Sequence, residues 1–377
     1  MPEPAKSDAY DAAMQIDAAL VGELAALLRQ TELNEIASKD GTPSVKWLEA
    51  WLDSKLGVTV TNGAAAPQIC MLDDLPITVD PAQIDIALRP FIVAEADERR
   101  WNSRIAALWS DTIDRLLAGD QAIRDRDLIE REYAVWATLG YDRYRTDRTD
   151  LKGMLWLWRE RRLFMDGAAA AGFRTLILAA VLDQCKPRRV LEVGSGHGIN
   201  LLSLAGAFPE IEFTGLELTQ QGVNQARYAQ SDSAAARIIH DYSPLDVIDP
   251  SAIERIRFVQ GDASAMPFEA GSFDLVITVL AVEQMESIRS AALSEIARVT
   301  SGHALMLEPF RDMNQRGLRR LYVQSRGYFR GSIGDLRNFG LEPLWATADF
   351  PQEAFLGTAL VLLARSPDSK NANGGST

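Results

Sequence analysis

The sequence predicts an α/β fold: an open, mostly parallel sheet preceded by a mainly helical N-terminal region. Three observations predict it. Residues 191–200 read Leu-Glu-Val-Gly-Ser-Gly-His-Gly-Ile-Asn, an E-x-G-x-G-x-G run that begins within the apolar strand Val190, Leu191, Val193. Residues 211–217, Ile-Glu-Phe-Thr-Gly-Leu-Glu, form a second strand-like stretch ending in an acid. Residues 256–262, Ile-Arg-Phe-Val-Gln-Gly-Asp, form a third, again ending in an acid. Strands separated by helical intervals are the pattern of a parallel sheet.

In the first of these stretches Gly194, Gly196 and Gly198 form a loop with almost no side-chain bulk, and a helix follows from Ile199 to Ala207. Alternate glycines let the backbone turn sharply and let a ligand reach the main chain. A loop at the carboxyl end of a strand is where open α/β sheets bind nucleotides. The spacing differs from the dinucleotide fingerprint G-x-G-x-x-G. Counted from Gly194 the last glycine falls on Ile199, and counted from Gly196 it falls on Leu201.

The alternating form with a leading acid resembles the first motif of the class I S-adenosylmethionine-dependent methyltransferases. Three further stretches resemble that family in the right order: 211–217, 256–262, and Met266-Pro267-Phe268-Glu269-Ala270-Gly271-Ser272-Phe273-Asp274-Leu275-Val276, which is similar to the family's turn into its fourth strand. Ala304–Glu308 reads as the fifth strand, and 341–350 and 356–364 as the closing sixth and seventh. The resemblance covers about 165–366 and implies a seven-stranded, Rossmann-like sheet with an antiparallel last strand. It also implies S-adenosyl-L-methionine as cofactor, held by Glu192, Gly194, Ser195, Gly196, Gly198, Glu217, Leu218, Asp262, Ala263 and Val279. Glu217 lies where an acid accepts hydrogen bonds from two ribose hydroxyls. In the family the acid matching Asp262 meets the adenine amino group, and the backbone at Ala263 donates.

Composition narrows the function classes. The chain has 377 residues, 47% hydrophobic, with ample apolar material for one large or two ordinary domains. The expected division is a helical N-terminal domain at 1–164, a methyltransferase domain at 165–366 and a disordered tail at 367–377. Cys70 and Cys185 give neither a disulfide framework nor a metal cluster, so no metal and a reducing compartment are expected. The polar start lacks the core of a signal peptide, and the longest apolar run, near 168–182, is interrupted by Arg174. The expectation is a cytoplasmic chain without a membrane span. The net charge of −13 is concentrated in 1–150, where 16 Lys+Arg face 27 Asp+Glu. Such a front half repels phosphate backbones and disfavours nucleic acid as a partner.

Along the front half, helical periodicity runs through 8–55, with Leu20, Leu24, Leu27 and Leu28 on one side and Trp47 and Trp51 sharing a face. Strand-like pieces fall at 57–61 and 67–72. Helices are expected over 81–118 (one or two), 121–139, 148–164 and 167–184. This region offers a surface for docking or homodimerisation. About 25 extra residues, 231–255, separate the second helix of the nucleotide fold from its third strand. They read as a surface elaboration or as a packing element against the front domain.

Methyl transfer from a sulfonium is an in-line displacement, and a strong base is needed only for a protonated, weakly acidic nucleophile. No Asn/Asp-Pro-Pro-Tyr-type motif follows the fourth strand, which disfavours amino-methylation of bases or of glutamine; no Pro-Cys pair exists for a cysteine nucleophile. Of His197, His240 and His303, none stands in the segment Thr278–Glu286 directly after the fourth strand, and His303 precedes the fifth strand on the face away from the site. His197 lies inside the glycine loop and reads as a contact to the cofactor region rather than a base. The catalytic or substrate-orienting candidates are Glu283, in Thr278–Glu286, and Glu308, which ends the fifth strand. Residues 311–337 hold seven arginines against Asp312 and Asp335, with aromatic residues interleaved. Arg311, Tyr322, Arg326, Tyr328 and Arg330 are therefore expected to bind an anionic acceptor. A second basic-aromatic stretch lies at 141–162. The leading expectation is methylation of O or N in a small, anionic or sugar-type metabolite. The alternatives are a protein or nucleic-acid methyltransferase that docks through its N-terminal domain, and a non-catalytic cofactor-binding subunit.

Overall fold

A computed structural model describes residues 68–118 and 140–366, together with positions 21–23, 25, 26, 52, 54 and 131. The helix expected over 121–139, the strand at 57–61, the Trp47/Trp51 face and the tail at 367–377 lie outside the described residues, as does nearly all of 8–55.

Among the described residues twelve strands form two sheets. The large sheet contains β1 (Ile69–Cys70), β5 (Arg189–Val193), β6 (Glu212–Glu217), β7 (Arg257–Gln260), β8 (Phe273–Val279), β9 (Thr300–Glu308), β10 (Leu341–Thr347) and β12 (Ala359–Arg365). Its order is β1-β10-β12-β9-β8-β5-β6-β7. Every pairing is parallel except those of β12, which runs antiparallel to both β10 and β9. Seven of these strands are the predicted Rossmann-like sheet with its antiparallel last strand, and β1 adds an eighth at the edge, parallel to β10. The central strands read as continuous apolar runs because both faces are covered. One face packs Val190, Leu275 and Leu305 under Phe173 and Ile177, and the other packs Leu191, Val276 and Met306 under Leu293 and Ile296.

The small sheet, in the order β11-β3-β4-β2, is antiparallel throughout: β2 (Ile92–Glu95), β3 (Met154–Trp158), β4 (Arg161–Met165) and β11 (Gln352–Glu353). Here the structure corrects the sequence. The helix expected over 148–164 is a β-hairpin, turned at Arg159-Glu160 with Arg159 in the left-handed region at φ 54°. Its strands place Trp156, Trp158, Leu163 and Met165 in the core. The run Leu-Trp-Leu-Trp supplies β-favouring aromatics rather than one helical face. The stretch 81–118 is two helices, α1 (Pro81–Leu88) and α2 (Glu98–Leu117), separated by β2. Asp80 caps α1 by accepting from Ala82 N at 2.8 Å, with proline at the first helical position; Asp97 caps α2 by accepting from Arg100 N at 2.8 Å.

Further helices within 140–366 are α3 (Ala169–Cys185), α4 (Ile199–Ala205), α5 (Gln220–Ser231), α6 (Ser233–Tyr242), α7 (Arg289–Val299) and α8 (Gly317–Ser325). The 164/165 division does not separate the strands: β1 belongs to the large sheet and β11 to the small one. The inserted segment packs against the front region. Tyr242 on α6 sits edge-on to Phe91 at 5.6 Å, meets Tyr144 at 4.9 Å, and donates its hydroxyl to Ala168 O. A third core joins α2 to α8 and the small sheet, through Trp101, Trp109, Leu155, Phe164, Leu321 and Phe355. Among the described residues no helix is long and apolar enough to cross a membrane.

Candidate functional site

At the carboxyl ends of β5, β6, β7 and β8 the chain leaves a cleft of about 820 Å³. This is the crevice that an open α/β sheet forms where its strand order reverses, here between β5 and β8. The glycine loop forms one side. Gly194, Gly196 and Gly198 have φ of 71°, 56° and 81°, values that suit glycine and strain other residues. A Cβ on Gly194 would lie 2.5 Å from Ala281 Cβ, so the loop packs directly on the turn after β8. Gly198 does not line the cleft. A Cβ there would lie 2.6 Å from the Phe258 ring, so this glycine serves the packing of α4 against the sheet.

The acids around the loop are buried. Glu217 accepts from Gly196 N at 3.0 Å through one oxygen, and from Thr219 N at 2.9 Å and Thr219 Oγ1 at 2.8 Å through the other. It fixes the loop and caps α5 through Thr219. Burial raises its pKa while those bonds lower it. Glu192 is 1% exposed and accepts from Asn200 Nδ2 at 2.6 Å, and burial pushes it up to about 8. Its Oε2 and the Oγ of Ser195 are buried without a hydrogen-bond partner among the described residues. Asp262 accepts from Ser264 N and Oγ, both at 2.7 Å. Leu218, Ala263 and Val279 also line the cleft.

His197 is held by the turn at 141–144. Tyr144 Oη lies 2.8 Å from its Nε2 and stacks on the ring at 5.7 Å, and Tyr141 donates its hydroxyl to the His197 carbonyl. Burial and Arg143 push its pKa down to about 4, so the imidazole is neutral.

Of the two carboxylates singled out for chemistry, Glu283 lines the cleft and is 7% exposed. Glu308 does not. It is fully buried and its oxygens accept from the amides of Ala281, Val282 and Glu283, each at 3.1 Å. Burial raises it to about 7 against those bonds. The turn that follows β8 therefore encloses it and keeps it from reacting atoms.

The structure does not bring the five expected acceptor-binding residues together. Tyr322 and Tyr328 line the cleft, but Arg311, Arg326 and Arg330 do not. Arg311 pairs with Asp335 at 3.5 Å, Arg326 with Asp111 of α2 at 3.3 Å, and the backbone of Arg330 donates to Glu286 at 3.0 Å. Tyr322 of helix α8 lines the cleft, while Arg319 on the same helix donates to the backbone carbonyls of Ala354 and Glu353. The cleft wall opposite the glycine loop combines Arg143, Arg148, Arg174, Glu353, Phe355 and Leu356 with the two tyrosines. Phe355 packs on Tyr322 at 4.7 Å, and Tyr322 meets Tyr328 at 6.2 Å. Arg148 is held by Asp150 at 2.9 Å and Asp166 at 3.6 Å. Arg174, from α3, has an Nε without a hydrogen-bond partner among the described residues. Burial lowers its pKa while Glu353 and Glu283 raise it; Glu353 in turn is pushed up to about 6 by burial, opposed by Arg174. The sequence carried one sign of this group: Arg174 is the lone charge in the apolar stretch 168–182.

Residues 191–307 match the methyltransferase-domain family. A stretch of 112 residues is 33% identical to the fatty-acid O-methyltransferase of Mycolicibacterium smegmatis, covering 30% of this chain and 33% of that one. Another comparison gives 27% identity over 122 residues with the ajmaline N-methyltransferase of Rauvolfia serpentina, covering 32% and 35%. A solved S-adenosylmethionine-dependent methyltransferase, SibL, shares 20% identity over 52% of this chain and 56% of that one, with a TM-score of 0.39. The matched stretches span about a third of the length of these curated relatives.

Proposed function

We propose that this chain is an S-adenosylmethionine-dependent methyltransferase that methylates O or N of a small molecule. One observation carries the reading: the glycine loop, Glu217 and Asp262 share a single cleft with a wall drawn from the front region, α8 and β11. A cleft of this size suits a cofactor beside a small acceptor better than a macromolecular surface. The residues present fit the cofactor. Buried polar atoms without partners among the described residues, Ser195 Oγ and Glu192 Oε2, sit where a polar ligand would satisfy them.

When bound, the cofactor supplies an activated methyl on sulfur. Glu217 and Asp262 hold its nucleoside end, and the backbone of Gly194–Gly196 with Val279 lines its reacting end. Glu283 orients the acceptor, and Tyr322, Tyr328 and Phe355 exclude water around it. His197 holds the loop rather than taking a proton, since its imidazole already contacts Tyr144. Relatives whose names specify O- and N-methylation support leaving both acceptor atoms open. The test incubates the full chain with isotope-labelled S-adenosylmethionine and a protein-free metabolite extract, then identifies labelled products by mass. Labelled small molecules are expected; label found only on protein or nucleic acid would overturn the reading.

A further inference from the structure

Three non-glycine residues among those described have left-handed backbones: Arg159, Lys186 and Leu280. The first turns a hairpin and the second caps α3, places where a single such residue ends an element. Leu280, at φ 50°, does neither. It follows β8 and lines the cleft. A bulky side chain in this region is strained, and such residues persist only where their surroundings hold them.

The surroundings are unusual. Leu280 N donates to Leu307 O at 2.9 Å. The next three amides all converge on the carboxylate of Glu308: Ala281 and Val282 on Oε1, and Glu283 on Oε2. These amides begin a short 3-10 turn, Val282–Gln284, and such a start leaves its donors without partners of their own. The turn touches both sides of the cleft. Ala281 packs on Gly194, and the Glu283 carbonyl accepts from Phe329 N at 3.0 Å, next to Tyr328 on the acceptor wall.

We propose that Glu308 is a positioning residue: its buried carboxylate holds the 280–283 turn in its left-handed register and so places Leu280 and Glu283 at the reacting end of the cleft. The proposal rests on the methyltransferase reading of that cleft. Three convergent N–H groups need an acceptor on both oxygens. Glutamine offers one acceptor oxygen and turns an amide donor toward the third N–H, so Glu308→Gln keeps the shape and breaks the clamp.

The test compares the full-length chain with Glu308→Gln by amide hydrogen exchange, by calorimetric binding of S-adenosylhomocysteine, and by the rate of labelled product from the extract. Expected are exchange at least tenfold faster at 281–283 and at Phe329, unchanged exchange at 300–307 and 359–365, and product at least tenfold slower. Affinity for S-adenosylhomocysteine stays within about threefold. Wild-type exchange at the turn overturns the proposal. So does acceleration spread evenly through β8, β9 and β12, which marks a group that merely stabilises the core. If Glu308→Gln does not fold, Leu280→Gly in the same chain decides, because glycine reaches positive φ at little cost. A folded double variant supports the proposal, and an unfolded one overturns it. Absence of S-adenosylhomocysteine binding by the unaltered chain counts against the methyltransferase reading, whereas the exchange pattern judges Glu308 by itself.

Discussion

The cofactor-side wall draws on 192–200, 216–218 and 261–263, three short stretches at the ends of neighbouring parallel strands, whereas the acceptor-side wall draws on 143–154, 166–174, 283–288, 322–328 and 353–356. On the first side backbone geometry predominates: positive φ at Gly194 and Gly196, and Glu217 bridging Gly196 and Thr219. On the second, side chains predominate: an aromatic face, three guanidinium groups and the acids Glu283 and Glu353, brought together from the small sheet, two helices and the turns between them. A wall made of main chain tolerates little change. A wall made of side chains lends itself to substitution, which separates a fixed cofactor from a variable acceptor.

Gly196→Val tests the rigid side with the largest expected effect. A β-branched residue at φ 56° is strained and crowds the ligand's space, so S-adenosylhomocysteine binding should fall below detection by calorimetry while circular dichroism stays native. Near-normal binding would show that the loop does not touch the cofactor. Arg174→Ala probes the other side. Loss of a charge-assisted contact of about 1.5–3 kcal/mol raises the acceptor's KM by about one to two orders of magnitude, with cofactor affinity unchanged. A matching loss on both sides in steady-state kinetics would erase the distinction between the walls. Glu217→Ala should weaken S-adenosylhomocysteine by roughly 1.5–3 kcal/mol, because it loses a ligand contact and the bond that fixes Gly196. An unchanged Kd there removes Glu217 from the ribose role.

Glu192 supplies a test by pH. Its pKa is raised from 4.5 to about 8, so the fold favours the protonated acid. Stability is undiminished by this group below pH 4.5, declines as pH rises, and reaches its full loss above about pH 8. Glu192→Gln, which stays neutral, should therefore raise Tm on the order of 5 °C at pH 8.5 and hardly at all at pH 5 in calorimetric scans. An equal gain at both pH values would mean that the carboxylate is ionised throughout. The smallest effect belongs to Arg326→Ala and Arg330→Ala. Both side chains lie outside the cleft, so acceptor KM should change less than about twofold. The exposed pair that Arg326 makes with Asp111 contributes on the order of 0.5 kcal/mol. A tenfold rise would restore the arginine-rich segment to the acceptor site.

The cofactor wall was legible because its chemistry is local. The glycine spacing, Glu217 and Asp262 each sit at a strand end, where the period of the chain alone fixes position. The acceptor wall was not, since Arg174 and Glu353 are neighbours only after β11 folds back beside β3. The seven arginines of 311–337 misled for a related reason. Charge density marks a segment, but which face of α8 turns inward is decided by Leu321 and Tyr322 packing on α2 and Phe355. The hairpin at 154–165 was hidden because its arginines and tryptophans suit either period, and only pairing with β2 and β11 settles the choice. Glu308 ends its strand as the sequence indicated, but nothing in the sequence tells that the turn after β8 would fold over it.

The return of β11 to the small sheet has a consequence for anyone recombining this chain with a relative. The front region cannot be exchanged as a block ending at residue 165, because the last strand of its sheet is encoded nearly two hundred residues later. A graft that carries 68–165 alone would leave β3 with an open edge, a template for unwanted pairing, and would lose Glu353 and Phe355 from the cleft. The transplantable unit is discontinuous, two lengths of chain stitched by a two-residue strand.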